Sequence, residues 1–241
     1  MLTRPRIPCP AGNPATLLAH QSRTPAPTTT RRPVQVRVTL RSVEYRYSND
    51  HPTHANHYLW PYLQRILARR RPPARVLEIG CGNGATSRML AEMGYSVIGV
   101  DPSRSGIELA KRHERPSLQF ELGSVDDDLA KRYGTFPLVV SLEVIEHCTS
   151  PQVFIDTLWS ALEPGGLGIL STPYHSYLKN LLIVASGRFD RHFDPLWEGG
   201  HIKFFSVPKL RTLCARFSRV EFYRIGRVPL VAKSVMVVAT R

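Results

Sequence analysis

The sequence predicts an α/β fold, in which helices cover both faces of a doubly wound, mostly parallel sheet. Aliphatic runs alternate with longer amphipathic segments along the chain, and this alternation is typical of parallel sheets. Residues 75–84 (RVLEIGCGNG) form an aliphatic run that leads directly into three alternate glycines. The next aliphatic run ends in Asp101, where a strand of such a sheet would present its carboxyl end to a ligand.

The same pattern predicts seven strands and the helices between them. A first helix is expected over 54–70 and ends before Pro72 and Pro73. The strands are expected at 75–79, 96–100, 118–121, 137–142, 167–172, 219–225 and 233–240. The later helices are expected at 84–94, 103–113, 125–133, 151–162 and 207–216.

Composition divides the chain into two parts. Residues 1–43 contain seven prolines and seven arginines but no acidic residue, and such a segment buries too little apolar surface to order itself. We therefore expect a disordered, Pro/Arg-rich extension over 1–43 and one folded domain over 44–241. Within the domain, the connection over about 173–205 is long enough to be an insertion that covers a substrate.

The net charge of +13 is concentrated at the two ends of the chain. Residues 1–43 carry +7 and residues 200–241 carry +8, which leaves −2 on residues 44–199. A basic surface attracts nucleic acid, anionic lipid or an acidic substrate. Solvated surface arginines explain the same charge without any partner.

Two further compositional features bear on the compartment. No apolar run reaches the roughly 18 residues expected of a membrane span. The four cysteines are scattered and include no C-x-x-C pair, which argues against a disulfide framework or a zinc site. The sequence therefore predicts a reducing compartment, the cytoplasm, and leaves contact with a membrane surface open.

The glycine spacing indicates which nucleoside the strand ends would bind. A dinucleotide fold favours G-x-G-x-x-G around a pyrophosphate, whereas Gly80, Gly82 and Gly84 give G-x-G-x-G. The carboxylate of Glu78 would repel a pyrophosphate but suits a cationic ligand, and Asp101 would accept hydrogen bonds from ribose hydroxyls. S-adenosylmethionine (SAM) carries an ammonium, a sulfonium and a ribose, so we expect SAM as the cofactor.

Taken together, these motifs resemble the class I SAM-dependent methyltransferases. Residues 136–147 (FPLVVSLEVIEH) resemble the fourth-strand motif of that family, and residues 162–166 (LEPGG) resemble the turn before its fifth strand. The resemblance covers roughly residues 50–241. It implies a Rossmann-like, seven-stranded sheet whose last strand is antiparallel, and methyl transfer as the activity.

The other expected contacts with the cofactor come from the glycine loop and from the ends of the third and fourth strands. Gly80 and Gly82 would expose backbone to the methionine part of SAM, and Gly84 would help to start the next helix. Ser124 and the backbone of Val125 are expected to hold the adenine edge, with Asp126 as the alternative because many relatives have an acid in this region. Leu142 would pack on the adenine or the methionine chain.

Residues 143–147 (EVIEH) suggest a site for a divalent cation. If the segment is helical, Glu143, Glu146 and His147 lie on one face, and two carboxylates with an imidazole suit Mg²⁺ or a similar ion. The same E-x-x-E-H pattern occurs in the ubiquinone-biosynthesis O-methyltransferases, which methylate polyprenyl hydroxyphenols and 3-demethylubiquinol. The alternative is that these residues shape the pocket without a metal.

The insertion supplies the candidate catalytic residues. His201 follows two glycines, so it lies on a loop that is free to close over a substrate, and it is the first candidate for a general base. His175 is the second candidate. Residues 178–186 are apolar and flanked by basic residues, so they either contact a membrane surface and receive an isoprenoid tail or pack on the sheet.

The sequence therefore predicts an O-methyltransferase that acts on a hydroxylated aromatic small molecule, such as a prenylated ubiquinone precursor. One alternative is a methyltransferase for another small metabolite or a lipid, working without metal. A second alternative is a basic protein that binds or modifies RNA. The absence of a nucleic-acid-binding motif in the sequence makes nucleic acid the less favoured partner. The oligomeric state is left open.

Overall fold

The computed structural model describes residues 45–69, 75–197, 199–226 and 228–241. The expected extension over 1–43 lies outside the described residues. Seven strands form one sheet in the order β3-β2-β1-β4-β5-β7-β6. The strands are β1 (Arg75–Ile79), β2 (Ser96–Asp101), β3 (Leu118–Leu122), β4 (Phe136–Leu142), β5 (Leu162–Pro173), β6 (Arg219–Ile225) and β7 (Ser234–Thr240).

The strand directions confirm the predicted fold class. Strands β1 to β5 pair in parallel, and β7 pairs antiparallel with both β5 and β6. The chain reverses between β3 at one edge and β4 beside β1, so the carboxyl ends of β1 and β4 flank the topological switch point. Ligands of such sheets bind at this place.

Seven α-helices flank the sheet in the part of the chain that the structure describes. They are α1 (His54–Ala68), α2 (Ala85–Glu92), α3 (Arg104–Lys111), α4 (Leu129–Tyr133), α5 (Pro151–Ser160), α6 (Tyr177–Ala185) and α7 (Val207–Leu213). Short 3₁₀ turns occur at Ile145–His147, Phe189–Arg191 and Pro229–Val231. None of the helices in the described part of the chain has the length and apolarity needed to cross a bilayer.

The sheet is buried on both faces, which explains the aliphatic runs in the sequence. Leu138 and Val140 of β4 belong to one core cluster, and Val139 belongs to the cluster on the opposite face. All three side chains are fully buried. In a sequence, parallel strands that helices cover on both faces appear as continuous apolar runs, without the alternation of apolar and polar residues.

Three elements differ from the expectation. Helix α4 begins at Leu129 rather than 125, because the Asp128 side chain accepts a hydrogen bond from the backbone N–H of Lys131 and caps the helix there. Strand β5 begins at Leu162, and residues 163–166 bulge out of it, so the expected turn lies inside the strand. The insertion contains a helix, α6, over the apolar run that we left without an assigned structure.

Helix α1 is held against α2 by polar contacts at the sheet edge that carries the glycine loop. The Asn56 amide donates a hydrogen bond to Thr86 Oγ1 (3.0 Å), and the Trp60 indole donates to the same oxygen (3.2 Å). Leu59 and Leu63 of this helix are fully buried. Helix α1 is therefore anchored to the helix that follows the glycine loop.

Candidate cofactor and metal site

The loop after β1 has the backbone geometry that its glycines predict. Gly80, Gly82 and Gly84 have φ angles of +78°, +54° and +78°, a region that side chains disfavour. A Cβ on Gly80 would lie 2.3 Å from a methyl carbon of Val144. The glycine loop and the segment after β4 are thus in direct contact at the carboxyl edge of the sheet.

Glu78 points into the interior beneath the glycine loop. Its side chain is buried, and it accepts a hydrogen bond from the Ser87 hydroxyl on α2. Burial raises the pKa of Glu78 from 4.5 to about 7. A cation brought to this carboxyl would favour its ionised form.

Asp101 closes the other side of the glycine loop. One carboxylate oxygen accepts from the backbone N–H of Gly82 (2.8 Å), and the other accepts from the backbone N–H of Ser103 (2.8 Å). Burial raises its pKa from 3.8 to about 6, although both hydrogen bonds oppose this rise. Asp101 therefore fixes the loop in its left-handed geometry, and its expected contact with ribose stays a prediction.

The expected adenine contacts lie in the loop after β3. The Ser124 N–H donates to the Asp127 carboxylate (2.7 Å), while the Val125 carbonyl accepts from Thr157 Oγ1 on α5 (2.7 Å). Both contacts order this loop, and the Asp126 side chain is exposed. Leu142 is buried at the end of β4. The adenine role of Ser124 and Val125 and the cofactor role of Leu142 stay predictions.

The segment after β4 is not the α-helix that would place Glu143, Glu146 and His147 on one face. Glu143 has a φ of +56°, which is strained for a residue with a side chain, and only a 3₁₀ turn follows it. Ser171 on β5 and Ser234 on β7 both donate hydrogen bonds to the Glu143 carboxylate, at 2.8 and 3.3 Å. The hydroxyl of Tyr58 lies 3.1 Å from Ser234 Oγ. Glu143 is therefore held by the sheet and α1.

Glu146 is the least satisfied polar group of the site. Its side chain is completely buried, and neither carboxylate oxygen has a hydrogen-bond partner among the described residues. Burial, followed by the nearby charge of Glu143, raises its pKa well above 4.5. Buried carboxylates are normally hydrogen-bonded, paired or bound to a metal.

Two histidines surround this carboxylate. Ligand atoms of Glu146, His147 and His201 all lie within 4.8 Å of one another. The N–H groups of Ile202 and Lys203 both donate to the Glu146 carbonyl at 3.0 Å, and these bonds hold the His201 loop beside the turn. His201 Nε2 lies 4.0 Å from Glu146 Oε1, too far for a direct hydrogen bond.

The hydrogen bonds of His147 select one ring tautomer. Its Nδ1 lies 2.8 Å from the carbonyl of Gly199 and 3.1 Å from that of Gly200. A carbonyl only accepts, so Nδ1 carries the proton and Nε2 is left with a lone pair. Histidines that bind metals commonly donate the other ring N–H to a carbonyl in this way.

The geometry changes the membership of the predicted metal group. Glu143, Glu146 and His147 would share one face only if the segment were helical. It forms a 3₁₀ turn over Ile145–His147 instead, and Glu143 lies outside the three-residue cluster. His201, expected as a general base, takes its place in the cluster. Burial, with the nearby rings of His147 and His175, lowers the pKa of His201 to about 4. An imidazole with this pKa is a weak base at neutral pH.

The insertion forms an aromatic wall beside the cluster. A cavity of about 170 Å³ borders His201 and is otherwise lined by His192, Phe193, Asp194, Pro195, Trp197 and Phe204. The ring of His175 lies 5.0 Å from that of Phe204, and its Nδ1 lies 3.2 Å from Asn180 Oδ1. Nδ1 therefore donates to the amide oxygen, and Nε2 makes no hydrogen bond to any of the described residues.

Several residues of the site were not found by the sequence analysis. Ser171, Ser234 and Tyr58 surround Glu143, and Tyr47 lies against Gly82. Serines and tyrosines are too common for a pattern to select them. Their positions depend on which strands and helices become neighbours.

Comparison with known proteins assigns the family. A family model described as a methyltransferase domain matches residues 52–218. The chain belongs to this family. The predicted resemblance to SAM-dependent methyltransferases is therefore confirmed, and the match includes both the glycine loop and the cluster around Glu146.

The curated relatives of this methyltransferase-family chain include enzymes named ubiquinone biosynthesis O-methyltransferase. The one from Rhizobium etli is 38% identical over 107 residues, which are 44% of this chain and 43% of that protein. The one from Xanthomonas axonopodis pv. citri is 35% identical over 128 residues, 51% of this chain and 54% of that protein. The chain thus spans about half the length of the curated relatives it matches.

Solved structures confirm the fold at low sequence identity. Magnesium protoporphyrin IX methyltransferase from Synechocystis PCC 6803, with bound SAH, has a TM-score of 0.57 at 19% identity and covers 78% of this chain and 83% of its own. A SAM-dependent methyltransferase from Mesorhizobium loti has a TM-score of 0.56 at 20% identity, covering 76% and 97%. Both share the doubly wound sheet described above.

Proposed function

We propose that this methyltransferase-family protein transfers the methyl group of SAM to a hydroxyl oxygen of a small aromatic acceptor. The observation that carries the proposal is the cavity lined by aromatic rings next to the Glu146–His147–His201 cluster. It lies in the insertion, where a substrate cover was expected. The curated relatives named as ubiquinone biosynthesis O-methyltransferases support the same class of reaction.

The cofactor would bind at the glycine loop. The left-handed glycines let the backbone come close to a ligand at the sheet edge, and Glu78 and Asp101 provide carboxylates for a cationic nucleoside. Gly80 packs directly on Val144, so a ligand on the loop lies close to the segment that bears Glu146. The two halves of the reaction would therefore meet at the carboxyl ends of β1 and β4.

The acceptor cavity is of a suitable size for one ring. At about 170 Å³ it is comparable with an engineered apolar cavity of about 150 Å³ that binds benzene. Phe193, Phe204 and Trp197 provide edges and faces for aromatic contact. A polar group on the bound ring would face His201 at the inner wall.

Glu146, His147 and His201 fit a divalent cation. The carboxylate lacks hydrogen-bond partners within the described part of the chain, and His147 presents a free Nε2. A bound cation lowers the pKa of a phenol, which is near 10 in water, and orients adjacent oxygens. Two imidazoles in the donor set favour Mn²⁺, Zn²⁺ or another transition metal over Mg²⁺.

The protein's own groups align the acceptor and receive its proton. The acceptor oxygen forms a bond to the methyl carbon while the carbon–sulfur bond of SAM breaks, and the sulfonium becomes a neutral thioether. The phenolic proton leaves to a base. We assign His175 to this role rather than His201, because its Nε2 is free and it borders the aromatic wall. Alignment of reactants can contribute about 7–11 kcal/mol to such a transfer.

Variants of single histidines test these roles. The wild-type protein would be titrated with SAM, Mn²⁺, Zn²⁺ and Mg²⁺ by calorimetry and assayed with a panel of catechols by mass spectrometry. We expect His147→Ala and His201→Ala to lose metal binding but retain SAM binding. We expect His175→Ala to retain both and to lose about 100-fold or more in kcat. His57→Ala, at an exposed position on α1, is the matched control.

The outcomes separate the parts of the proposal. Failure of the wild type to bind SAM refutes methyl transfer. SAM binding without any metal response refutes the cation site and favours a metal-free acceptor such as another metabolite. Methyl transfer to amines but not to catechols refutes the aromatic hydroxyl as acceptor.

The exposed face of α6 supports an acceptor with an apolar tail. Leu181, Leu182 and Val184 are 50%, 52% and 57% exposed, and Tyr177 at the start of the helix is 86% exposed. We propose that this face contacts the isoprenoid tail or the membrane surface that holds it. When the protein is sedimented with vesicles of anionic lipid, the wild type should leave the supernatant with the vesicles. The double variant Leu181→Gln/Leu182→Gln should stay in the supernatant. Equal sedimentation of both would refute the contact.

A further inference from the structure

Residues 45–53, which precede α1, cross the glycine loop and are named the strap below. The strap is fastened to α3 at its beginning: Ser103 Oγ donates to the Tyr45 carbonyl (2.6 Å), and the Tyr47 N–H donates to Ser105 Oγ (3.1 Å). Farther along, the Asn83 amide donates to the carbonyls of Asn49 and His51 at 3.0 and 2.9 Å. The strap is therefore fastened both to the start of α3 and to the glycine loop itself.

A surface hydrogen bond between side chains adds a third fastening. His113 Nε2, just after α3, lies 2.7 Å from the Asp50 carboxylate, and these side chains are 36% and 34% exposed. The Arg88 guanidinium on α2 also donates to the Asp50 carbonyl. These contacts use none of the carboxylates expected to bind the cofactor. A ligand at Glu78 or Asp101 would thus leave these fastenings intact.

The ring of Tyr47 fills the space that two glycines leave open. A Cβ on Gly82 would lie 2.3 Å from the Tyr47 hydroxyl oxygen and 2.6 Å from the ring carbon that bears it. A Cβ on Gly106 would lie 3.0 Å from the Tyr47 ring and 2.8 Å from the Gly82 carbonyl oxygen. Any side chain larger than hydrogen at either position would displace the ring.

The phenol end of Tyr47 lies in the most acidic part of the cofactor site. Burial raises the pKa of Tyr47 above its usual value, and nearby Asp101, Tyr45, Cys81 and Glu78 raise it further, in that order. Asp101 is only 7% exposed beneath this segment. With the strap closed, a ribose therefore has little access to the Asp101 carboxylate from solvent.

We propose that the strap closes over the SAM site and that Tyr47 is its cofactor-positioning residue. The strap lifts to admit the cofactor, and in the closed state Tyr47 confines it between the glycine loop and Asp101. This inference rests on the proposed binding of SAM. It adds that opening of the strap governs both entry and escape of the cofactor, so a loosened strap raises both rates.

The test measures rates of cofactor exchange. Dissociation of radiolabelled S-adenosylhomocysteine (SAH) would be followed by a chase with excess unlabelled SAH, and association by rapid mixing with tryptophan fluorescence as the signal. We expect Tyr47→Ala to raise both rates, dissociation by about tenfold, as for the loss of one well-packed buried contact. Tyr47→Phe keeps the ring and should stay within about twofold of the wild type. Tyr62→Ala removes a tyrosine of α1 outside the strap and is the matched control.

A second variant tests the strap without altering the buried ring. Asp50→Ala removes the hydrogen bond with His113 at the surface and should raise both rates in the same direction as Tyr47→Ala. Unchanged rates in both variants, with a wild type that binds SAH, refute the strap alone. Faster association with unchanged dissociation also refutes it, because Tyr47 would then block the empty site rather than close the filled one. A wild type that binds no SAH refutes the strap together with SAM binding.

Discussion

Replacing Glu78 by glutamine should remove a large part of the pH dependence of folding. In the ligand-free protein this carboxyl is 2% exposed and lies beneath the glycine loop. Its main neighbour is the Ser87 hydroxyl, which donates a hydrogen bond to it and can donate equally well to a glutamine oxygen. The substitution therefore removes the titration and keeps the size of the side chain.

The magnitude follows from the pKa. Burial raises the pKa of Glu78 from 4.5 to about 7 in the folded protein. Because the folded state holds the proton more tightly, stability is greatest below pH 4.5 and is lost as the pH rises towards 7. At about 1.4 kcal/mol per pH unit, the total loss is about 3 kcal/mol, of which about 2 kcal/mol falls between pH 5.5 and pH 8.5.

Urea unfolding followed by tryptophan fluorescence would measure the effect. The free energy of unfolding of Glu78→Gln, minus that of the wild type, should increase by about 2 kcal/mol from pH 5.5 to pH 8.5. Asp101 also has a raised pKa, but it titrates in both proteins and its contribution largely cancels. A difference that stays constant over this range would refute the burial argument for Glu78.

Three further substitutions test the fold around the site by thermal or urea unfolding. Gly84→Ala should lose at least about 2 kcal/mol, because φ is +78° and the new Cβ would lie 2.7 Å from the Phe120 ring; an unchanged midpoint would contradict this geometry. Ser150→Ala should lose about 1 kcal/mol by removing the cap of α5, and Ser150→Asp should restore it. Phe154→Ala should lose about 3–5 kcal/mol, because the ring is fully buried; a loss below 1 kcal/mol would indicate that the site repacks.

Much of the fold could be predicted from local patterns. Strand β1 has the predicted bounds, and β6 does too, because aliphatic and aromatic runs bounded by turn residues depend only on neighbouring positions. The three glycines after β1 were predicted to turn the backbone, and all three adopt positive φ. The bulge inside β5 and the late start of α4 were not predicted, since both depend on a strand partner or a cap.

The candidate site was predicted only in part. Glu146, His147 and His201 were each singled out, but as members of two different groups. Their grouping requires the insertion to return to the end of β4, where backbone bonds from Ile202 and Lys203 fasten it to the Glu146 carbonyl. The helical condition for residues 143–147 is not met, because Glu143 leaves the strand in a left-handed conformation and only a 3₁₀ turn follows.

The parallel sheet, the glycine loop and the family resemblance could be predicted, because each depends on periodicity or spacing between near neighbours. The packing of the folded chain was needed to show that serines of two other strands bind Glu143 and that Glu146 lies buried beside two histidines. It alone brought Tyr47 onto Gly82. Contacts between distant segments depend on how the folded chain packs, and no local pattern of side chains encodes that packing.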